Sequence, residues 1–375
     1  MYSFGADGRL ASLQGKWYNG GAHRCVFQEV DMTQRLLAWY DENARDLPWR
    51  GIHNPYYTWV SETMLQQTRV ETVRGYYFRF LERFPTLADL AAAPLDDVLK
   101  QWEGLGYYSR ARNLHRGAQQ VMAEFGGVLP KEVPQLLKIH GIGPYTAGAI
   151  ASIAYDQPVP AVDGNVIRVT CRYHGVRENV GIPSVRREVE RLAAQQVPAV
   201  RPGDFNQALM DLGATVCVPG TPSCDLCPLQ DTCDAFAEGD AEDIPDLPGK
   251  NPPKPLHYAV CLILSGDRVL MHQRTEKLLG GLWVFPMVEG ALSVSRLPPA
   301  IRRRTGLSVR DVRHEGDARH VFTHQIWNMK LFTMTCAENA APDGFRFVTA
   351  QEMSALAIPA AMKAAHALAL QTLAP

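Results

Sequence analysis

Leu136–Arg168 reads LLKIHGIGPYTAGAIASIAYDQPVPAVDGNVIR, and this stretch decides the fold. Leu136, Leu137 and Ile139 make the apolar end of a helix. His140-Gly141-Ile142-Gly143-Pro144 is too rich in Gly and Pro to continue it. From Tyr145 a second helix follows, and Thr146, Ala147, Gly148 and Ala149 are small enough for close packing. Gly141 and Gly143 can adopt positive φ and let a ligand approach the backbone. Their N–H groups, beside a helix start, suit a phosphate. Asp163 stands twenty residues beyond Gly143, before Gly164-Asn165. Alone, a GxG is a tight turn and an Asp before a helix is an N-cap. Together they describe a hairpin that grips a backbone while a carboxylate waits at a fixed distance.

The chain has 375 residues, enough for two domains, and its 46% hydrophobic content supports packed cores. No apolar run is long enough to span a membrane. The first residues lack a signal peptide's charged and apolar regions, so a cytosolic protein is expected. The net charge of −1 gives no overall basic footprint for nucleic acid. Cationic series do occur locally. Arg69, Arg74, Arg79 and Arg83 form one; Arg302, Arg303, Arg304, Arg310 and Arg313 form another, and each reads first as a solvated face.

Residues 1–31 show no periodicity and read as an N-terminal extension, poorly ordered. Met32 opens an amphipathic helix carrying Leu36, Leu37 and Trp39. Leu47-Pro48-Trp49-Arg50 ends it and sets an aromatic beside a guanidinium. Two helices follow from Tyr57 to Phe84, with Trp59, Val60, Met64 and Leu65 at helical spacing and therefore buried. Glu62 lies beside that apolar stripe and Gln66 one turn on. A carboxyl bordered by apolar groups favours its protonated form, and a protonated Glu is a general acid at neutral pH. Gly104-Leu105-Gly106-Tyr107-Tyr108 frees the backbone ahead of two tyrosines, which are either core rings or wedges for stacked bases.

Eight cysteines occur, and four of them form Cys217-x6-Cys224-x2-Cys227-x5-Cys233. Four-Cys zinc sites use two separated CxxC knuckles; one CxxC in a loop this short suits a [4Fe–4S] cluster better. Cys25, Cys171, Cys261 and Cys336 read as ordinary buried thiols. Residues 238–255 are acidic and then Pro-rich, a linker. Strands follow at residues 258–264 and 269–271, then Gly280-Gly281-Leu282-Trp283, a helix near residues 295–305 and strands near 320–335.

From Met32 to at least residue 335, these motifs in this order resemble the adenine DNA glycosylases of the MutY type, within the helix-hairpin-helix glycosylase superfamily. The segments carrying the resemblance are WVSETMLQQT, GLGYYSRARNL, the hairpin, VDGN and the four-Cys loop. It implies a mostly α catalytic region at residues 32–237, a six-helix barrel at about 53–159 with an iron–sulfur subdomain from 32–52 and 160–237. A linker at 238–256 and an α+β MutT/Nudix-like domain at 257–375 would follow.

By the same resemblance, Glu62 protonates adenine N7 and Asp163 stabilises the oxocarbenium sugar. Such a division parallels two-carboxylate glycoside hydrolysis, on a base first flipped from the stack. Trp49, Arg50 and Gln207 line the base pocket, Gln66 and Gln67 lie in the intercalating region, and Tyr107 is the wedge. Gly141, Gly143 and Tyr145 meet DNA at the hairpin. Phe322, Thr323 and His324 contact the opposite 8-oxoguanine. Cys217, Cys224, Cys227 and Cys233 hold the cluster. The expected partner is duplex DNA with adenine opposite 8-oxoguanine or guanine, bound by a monomer in the cytoplasm at the nucleoid.

His140 replaces the family's usual Pro, and Thr323 replaces Ser. Tyr145 and Ile167 stand where relatives carry a Lys, so a monofunctional glycosylase without efficient strand cleavage is expected. The rivals are an endonuclease III-like glycosylase/lyase for oxidised pyrimidines, a Nudix pyrophosphohydrolase and a non-enzymatic lesion-binding protein. Tyr145 and the C-terminal module oppose the first. Ile301-Arg302-Arg303-Arg304 opposes the second, having arginines where carboxylates would hold Mg²⁺. The presence of both Glu62 and Asp163 opposes the third.

Overall fold

A computed structural model describes residues 22–249, 252–290 and 293–374, the first ten of these by backbone alone. The expected extension lies outside the described residues up to residue 21. Beyond it, the first helix, α1, spans Ala22–Asn43 and so begins ten residues before Met32.

Helices α2 (Pro55–Leu65), α3 (Val70–Arg83), α4 (Leu87–Ala92), α5 (Leu95–Gln101), α6 (Ser109–Glu124), α7 (Val133–Leu136) and α8 (Pro144–Ala149) follow. A π-helical turn at Ile150–Ala154 extends α8. Then come α9 (Gly164–His174), α10 (Pro183–Gln196), α11 (Pro202–Thr215) and α12 (Asp234–Glu238). The C-terminal part holds β1 (Lys254–Ser265), β2 (Arg268–Gln273), β3 (Trp283–Val284), β4 (Met287–Glu289), α13 (Leu297–Thr305), β5 (Val309–Val321), β6 (Gln325–Cys336), β7 (Phe345–Val348), α14 (Ala350–Ser354) and α15 (Lys363–Leu373). β1 thus takes up the last residues expected in the linker.

The chain groups into two compact units. One joins residues up to Asp46 with Ala151–Pro248; the other joins Leu47–Ile150 with the chain from Gly249 onward. In the first, Met32, Leu36 and Tyr40 pack with Val166, Val169, Phe205 and Leu209. Asp211, fully buried, holds α1's end by accepting from Arg45 Nε at 2.7 Å. Ile244, in the acidic segment read as linker, is instead core, clustered with Ile167, Cys171 and Val180.

In the second unit, α2 starts where Asn54 accepts from the Tyr56 and Tyr57 N–H groups, with Pro55 at the first helical position. Trp59, Val60 and Met64 are fully buried as their spacing predicts, whereas Leu65 is only partly covered. Leu137, expected at the apolar helix end, is 43% exposed. Gly117 on α6 admits the hairpin region, since a Cβ there would stand 2.7 Å from Trp59 and also against the His140 carbonyl. The sheet runs β3-β2-β1-β6-β5, with β1 parallel to β6, β4 beside β1 and β7 beside β2. Val260 and Leu262 face one core and Cys261 and Ile263 the other, which explains the unbroken apolar run of β1. Among the described residues, no helix is long and apolar enough to cross a membrane.

Candidate active site

Glu62 occupies the middle of α2 and is only 5% exposed. Its partner comes from the hairpin: Tyr145 Oη donates to Glu62 Oε2. Gly143 caps α8 and Pro144 opens it, so Tyr145 projects from the first turn. One residue on, Thr146 Oγ1 accepts from Gln66 Nε2 at 3.3 Å, a second tie between α2 and α8. Of the two hairpin glycines, only Gly141 has positive φ, at 82°, and a Cβ there would lie 2.8 Å from Asn113 Cβ. Gly143 is extended, with φ −95° and ψ 179°, so its backbone needs no glycine, and nothing stands within 4 Å of where its Cβ would be.

Arg110 organises the two loops expected to meet the DNA stack. It is 8% exposed, and its Nη1 donates to the carbonyls of Thr63, Met64 and Gln66 at 2.7–2.8 Å. Its Nη2 reaches the Gly106 carbonyl at 3.0 Å. These bonds satisfy carbonyls at the end of α2 and join Gln66-Gln67 to Gly106-Tyr107. Burial pulls the Arg110 pKa down to about 10. Gln67 and Tyr107 both take positive φ, 56° and 47°. The paired tyrosines divide: Tyr107 is 48% exposed, whereas Tyr108 is buried. Trp49 is core-like, 6% exposed and packed edge-to-face on Tyr77 with ring centroids 5.5 Å apart, and Arg50 beside it is partly covered.

In the other unit, Asp163 is the N-cap of α9. Oδ1 accepts from Val166 N–H at 2.8 Å and Oδ2 from Asn165 Nδ2 at 2.9 Å. Burial raises the Asp163 pKa above the ordinary carboxylate value, while Val166, Asn165 and Arg168 pull the other way. Asp163 lines a cavity of about 700 Å³ together with Asn165, Arg168, Arg172, Ile244 and Pro248. Ile167 lines it too, with a hydrocarbon side chain. Gln207, expected in a base pocket, is buried in α11 and donates to its own helix, at the Gly203 carbonyl, 3.3 Å away.

Cys217, Cys224, Cys227 and Cys233 line one small cavity with Arg172. Among the described residues, no group of three or more His, Cys, Asp or Glu side chains is placed to hold a metal ion. Two arginines fasten the loop to α9. Arg168 Nε donates to the Cys217 carbonyl at 2.8 Å, and Arg172 Nη1 lies 3.4 Å from Cys217 Sγ and 2.8 Å from the Val218 carbonyl. Arg172 Nε also bonds the Ile244 carbonyl at 2.8 Å. A guanidinium directed at a sulfur suits a thiolate, and four cysteines lining one cavity are the donor type a polythiolate group takes. Cys171, Cys261 and Cys336 are buried, as expected of plain thiols.

Phe322, Thr323 and His324 form the tip between β5 and β6, closed by Phe322 N–H donating to the Gln325 carbonyl at 2.8 Å. The Phe322 ring is anchored edge-on to Trp327 at 4.9 Å, leaving Thr323 and His324 exposed. On α13, Leu297 and Ile301 face the core, whereas Arg302, Arg303 and Arg304 are exposed. The sequence reading missed Arg110, Arg168, Arg172 and Gly117. Only the i, i+4 pair Arg168 and Arg172, set in an otherwise buried helix, carried a usable signal.

Two family models match the chain: HhH-GPD superfamily base excision DNA repair protein over residues 60–198, and NUDIX domain over residues 259–368. The adenine DNA glycosylase of Mus musculus is 37% identical, covering 90% of this chain and 78% of the mouse protein. That of Homo sapiens is also 37% identical, covering 91% and 74% respectively. That of Arabidopsis thaliana is 41% identical over 81% of this chain and 58% of the plant protein. A solved thermostable thymine-DNA glycosylase superposes with a TM-score of 0.52 at 27% identity, over 57% of this chain and 99% of that one.

Helical region and sheet together therefore define a base excision DNA repair glycosylase with a Nudix-like C-terminal domain. More narrowly, the chain belongs to the adenine DNA glycosylase family, N-glycosylases that excise mispaired adenine.

Proposed function

We propose that the enzyme hydrolyses the N-glycosidic bond of adenine opposite 8-oxoguanine or guanine, with Glu62 as general acid and Asp163 as the carboxylate that stabilises the sugar cation. The observation carrying this reading is the buried Glu62 held by the Tyr145 hydroxyl. Adenine leaves poorly as an anion. Glu62 gives its proton to N7, the C1′–N9 bond breaks, and its electron pair goes to the base. The sugar becomes an oxocarbenium ion, which an ionised Asp163 stabilises until water adds at C1′ and gives up its proton, restoring the Glu62 acid.

Tyr145 supplies a phenol engaged with Glu62 rather than an amine, and Ile167 supplies a hydrocarbon. Neither can attack C1′ as a Schiff-base nucleophile, so the reaction ends at the abasic site. Gln66, Gln67 and Tyr107 are assigned to the duplex stack. Gly141, Gly143 and the following helix are assigned to its backbone. The Phe322-Thr323-His324 tip is assigned to the base opposite. The enzyme works where the cell's DNA is, in the cytoplasm at the nucleoid. Cys217, Cys224, Cys227 and Cys233 would hold a [4Fe–4S] cluster, which when bound supplies a covalent cross-link of their loop. Arg168 and Arg172 orient that loop on α9.

Single-turnover base release from a duplex with adenine opposite 8-oxoguanine tests the reading, with thymine glycol as control. Wild type should release adenine and leave strands that break only after alkali, and Glu62→Gln should not release it. Release from thymine glycol with spontaneous strand cleavage would overturn it. So would tight binding without release by the cluster-loaded protein.

A further inference from the structure

Between α5 and α6 the chain makes one tight turn, Trp102–Tyr108, and this turn is where the helices meet the Nudix-like module. Glu103 Oε1 accepts from Ile358 N–H at 2.8 Å. Lys100 Nζ donates to the Leu356 carbonyl at 3.0 Å and to Glu103 Oε2 at 2.6 Å. The ion pair therefore takes up two backbone groups of one turn, the Leu356 carbonyl and the Ile358 N–H. That turn is itself tied to the sheet, since the Ala357 carbonyl accepts from Trp283 N–H at 3.0 Å. Two flanking bonds add to the seam: Gln273 Nε2 to Asp96 Oδ1 at 2.7 Å, and Arg112 Nη1 to the Gly280 carbonyl. The Lys100 and Glu103 side chains are only 32% and 30% exposed, so solvent screens the pair less than a surface one.

Glu103 is fixed from behind, because its carbonyl accepts from Tyr76 Oη at 2.8 Å. Tyr107 stands four residues further on. The intervening backbone turns through left-handed conformations, with φ of 92°, 78° and 47° at Gly104, Gly106 and Tyr107, and two hydrogen bonds brace it. Gly104 N–H bonds Tyr108 Oη at 3.0 Å, and Trp102 Nε1 bonds the Gly106 carbonyl at 3.1 Å. At the far end, Tyr107 Oη lies 3.0 Å from Thr323 Oγ1. One hydrogen-bonded turn thus holds the module at Glu103 and presents Tyr107 to the β5–β6 tip.

We propose that Lys100 and Glu103 are positioning residues for reading the base opposite adenine. They hold the Leu356–Ile358 turn so that the Thr323 tip stands in register with Tyr107 before DNA binds. The inference rests on the proposed role of the Phe322-Thr323-His324 tip. Pre-set register favours the opposite base that the tip recognises, because less ordering is left to binding.

The test uses the full cluster-loaded chain and a duplex with a non-cleavable 2′-fluoro adenine nucleotide opposite 8-oxoguanine or guanine. The ratio of the two Kd values is measured for wild type, Glu103→Ala and Glu103→Gln. Gln keeps a carbonyl acceptor for Ile358 N–H. Glu103→Ala should lower the preference for 8-oxoguanine about tenfold, as the loss of one or two net hydrogen bonds would. Its single-turnover rate at saturating enzyme should stay within about twofold of wild type, because only binding register changes. Glu103→Gln should keep most of the preference.

An unchanged ratio in a folded Glu103→Ala overturns the proposal. An equal loss on both duplexes, without rescue by Gln, also overturns it by showing a merely structural role. Should Glu103→Ala not fold, Lys100→Met, which removes the bond to Leu356 and the ion pair with Glu103 but leaves Glu103 to accept from Ile358 N–H, is read by the same ratio. A wild type with no preference for 8-oxoguanine would instead overturn the role proposed for the tip.

Discussion

The two carboxylates sit in unlike surroundings. Glu62 is mid-helix, 5% exposed, and meets a phenol. Asp163 is a helix N-cap that accepts a backbone N–H and a side-chain amide, with an arginine nearby. Donors around Asp163 and the start of α9 favour its anion, yet they only partly offset burial, which raises its pKa. The proposed roles ask Glu62 for a proton and Asp163 for an anion.

The sharpest way to break this comparison is Glu62→Gln. It keeps shape and removes the transferable proton, so single-turnover adenine release should fall about 10³-fold while duplex binding persists. Asp163→Asn comes next. Asn still caps α9, so the fold should hold, but lost stabilisation of the cation should slow release about 10²-fold; circular dichroism and rapid-quench assays separate the two effects. Tyr145→Phe should cost about tenfold, the value of one hydrogen bond to a carboxyl, without introducing strand cleavage.

The smallest effect concerns pH. Asp163 must be ionised, so release should decline as pH falls through its raised pKa. Asn165 stabilises the ionised form. Asn165→Ala should therefore raise that pKa further and move the acidic limb of the pH–rate profile to higher pH, with little change on the plateau.

Much of the candidate site is legible because the chemistry proposed for it depends on residue type at fixed spacing. The Cys spacing, the Gly-rich hairpin and an Asp before a helix can all be read along one dimension. Asp163 shows the limit of choosing between readings: it is the N-cap its position suggested, and that same role supplies the donors an anion needs. What stayed hidden depends on partners far apart in sequence. Arg110 looks like any surface helix arginine until the ends of α2 and the Gly104-Gly106 turn converge on it. Gly117 looks like a weak spot in a helix until Trp59 presses on it. Ile244 lay in an acidic, Pro-containing stretch whose composition signalled a tether, yet one side chain and the Arg172 bond to its carbonyl pin it to the core. Glu103 gave no signal, because its partner Ile358 N–H is a backbone group 255 residues away.

The most direct measurement of the central claim compares Glu62→Gln and Asp163→Asn on adenine and on 7-methyladenine, whose N7 already bears the positive charge that protonation would supply. If Glu62 only delivers that proton, Glu62→Gln should regain most of its lost rate on the methylated base, whereas Asp163→Asn should stay slow on both. Recovery by Asp163→Asn with none by Glu62→Gln, or equal recovery by the two, would contradict the division of roles.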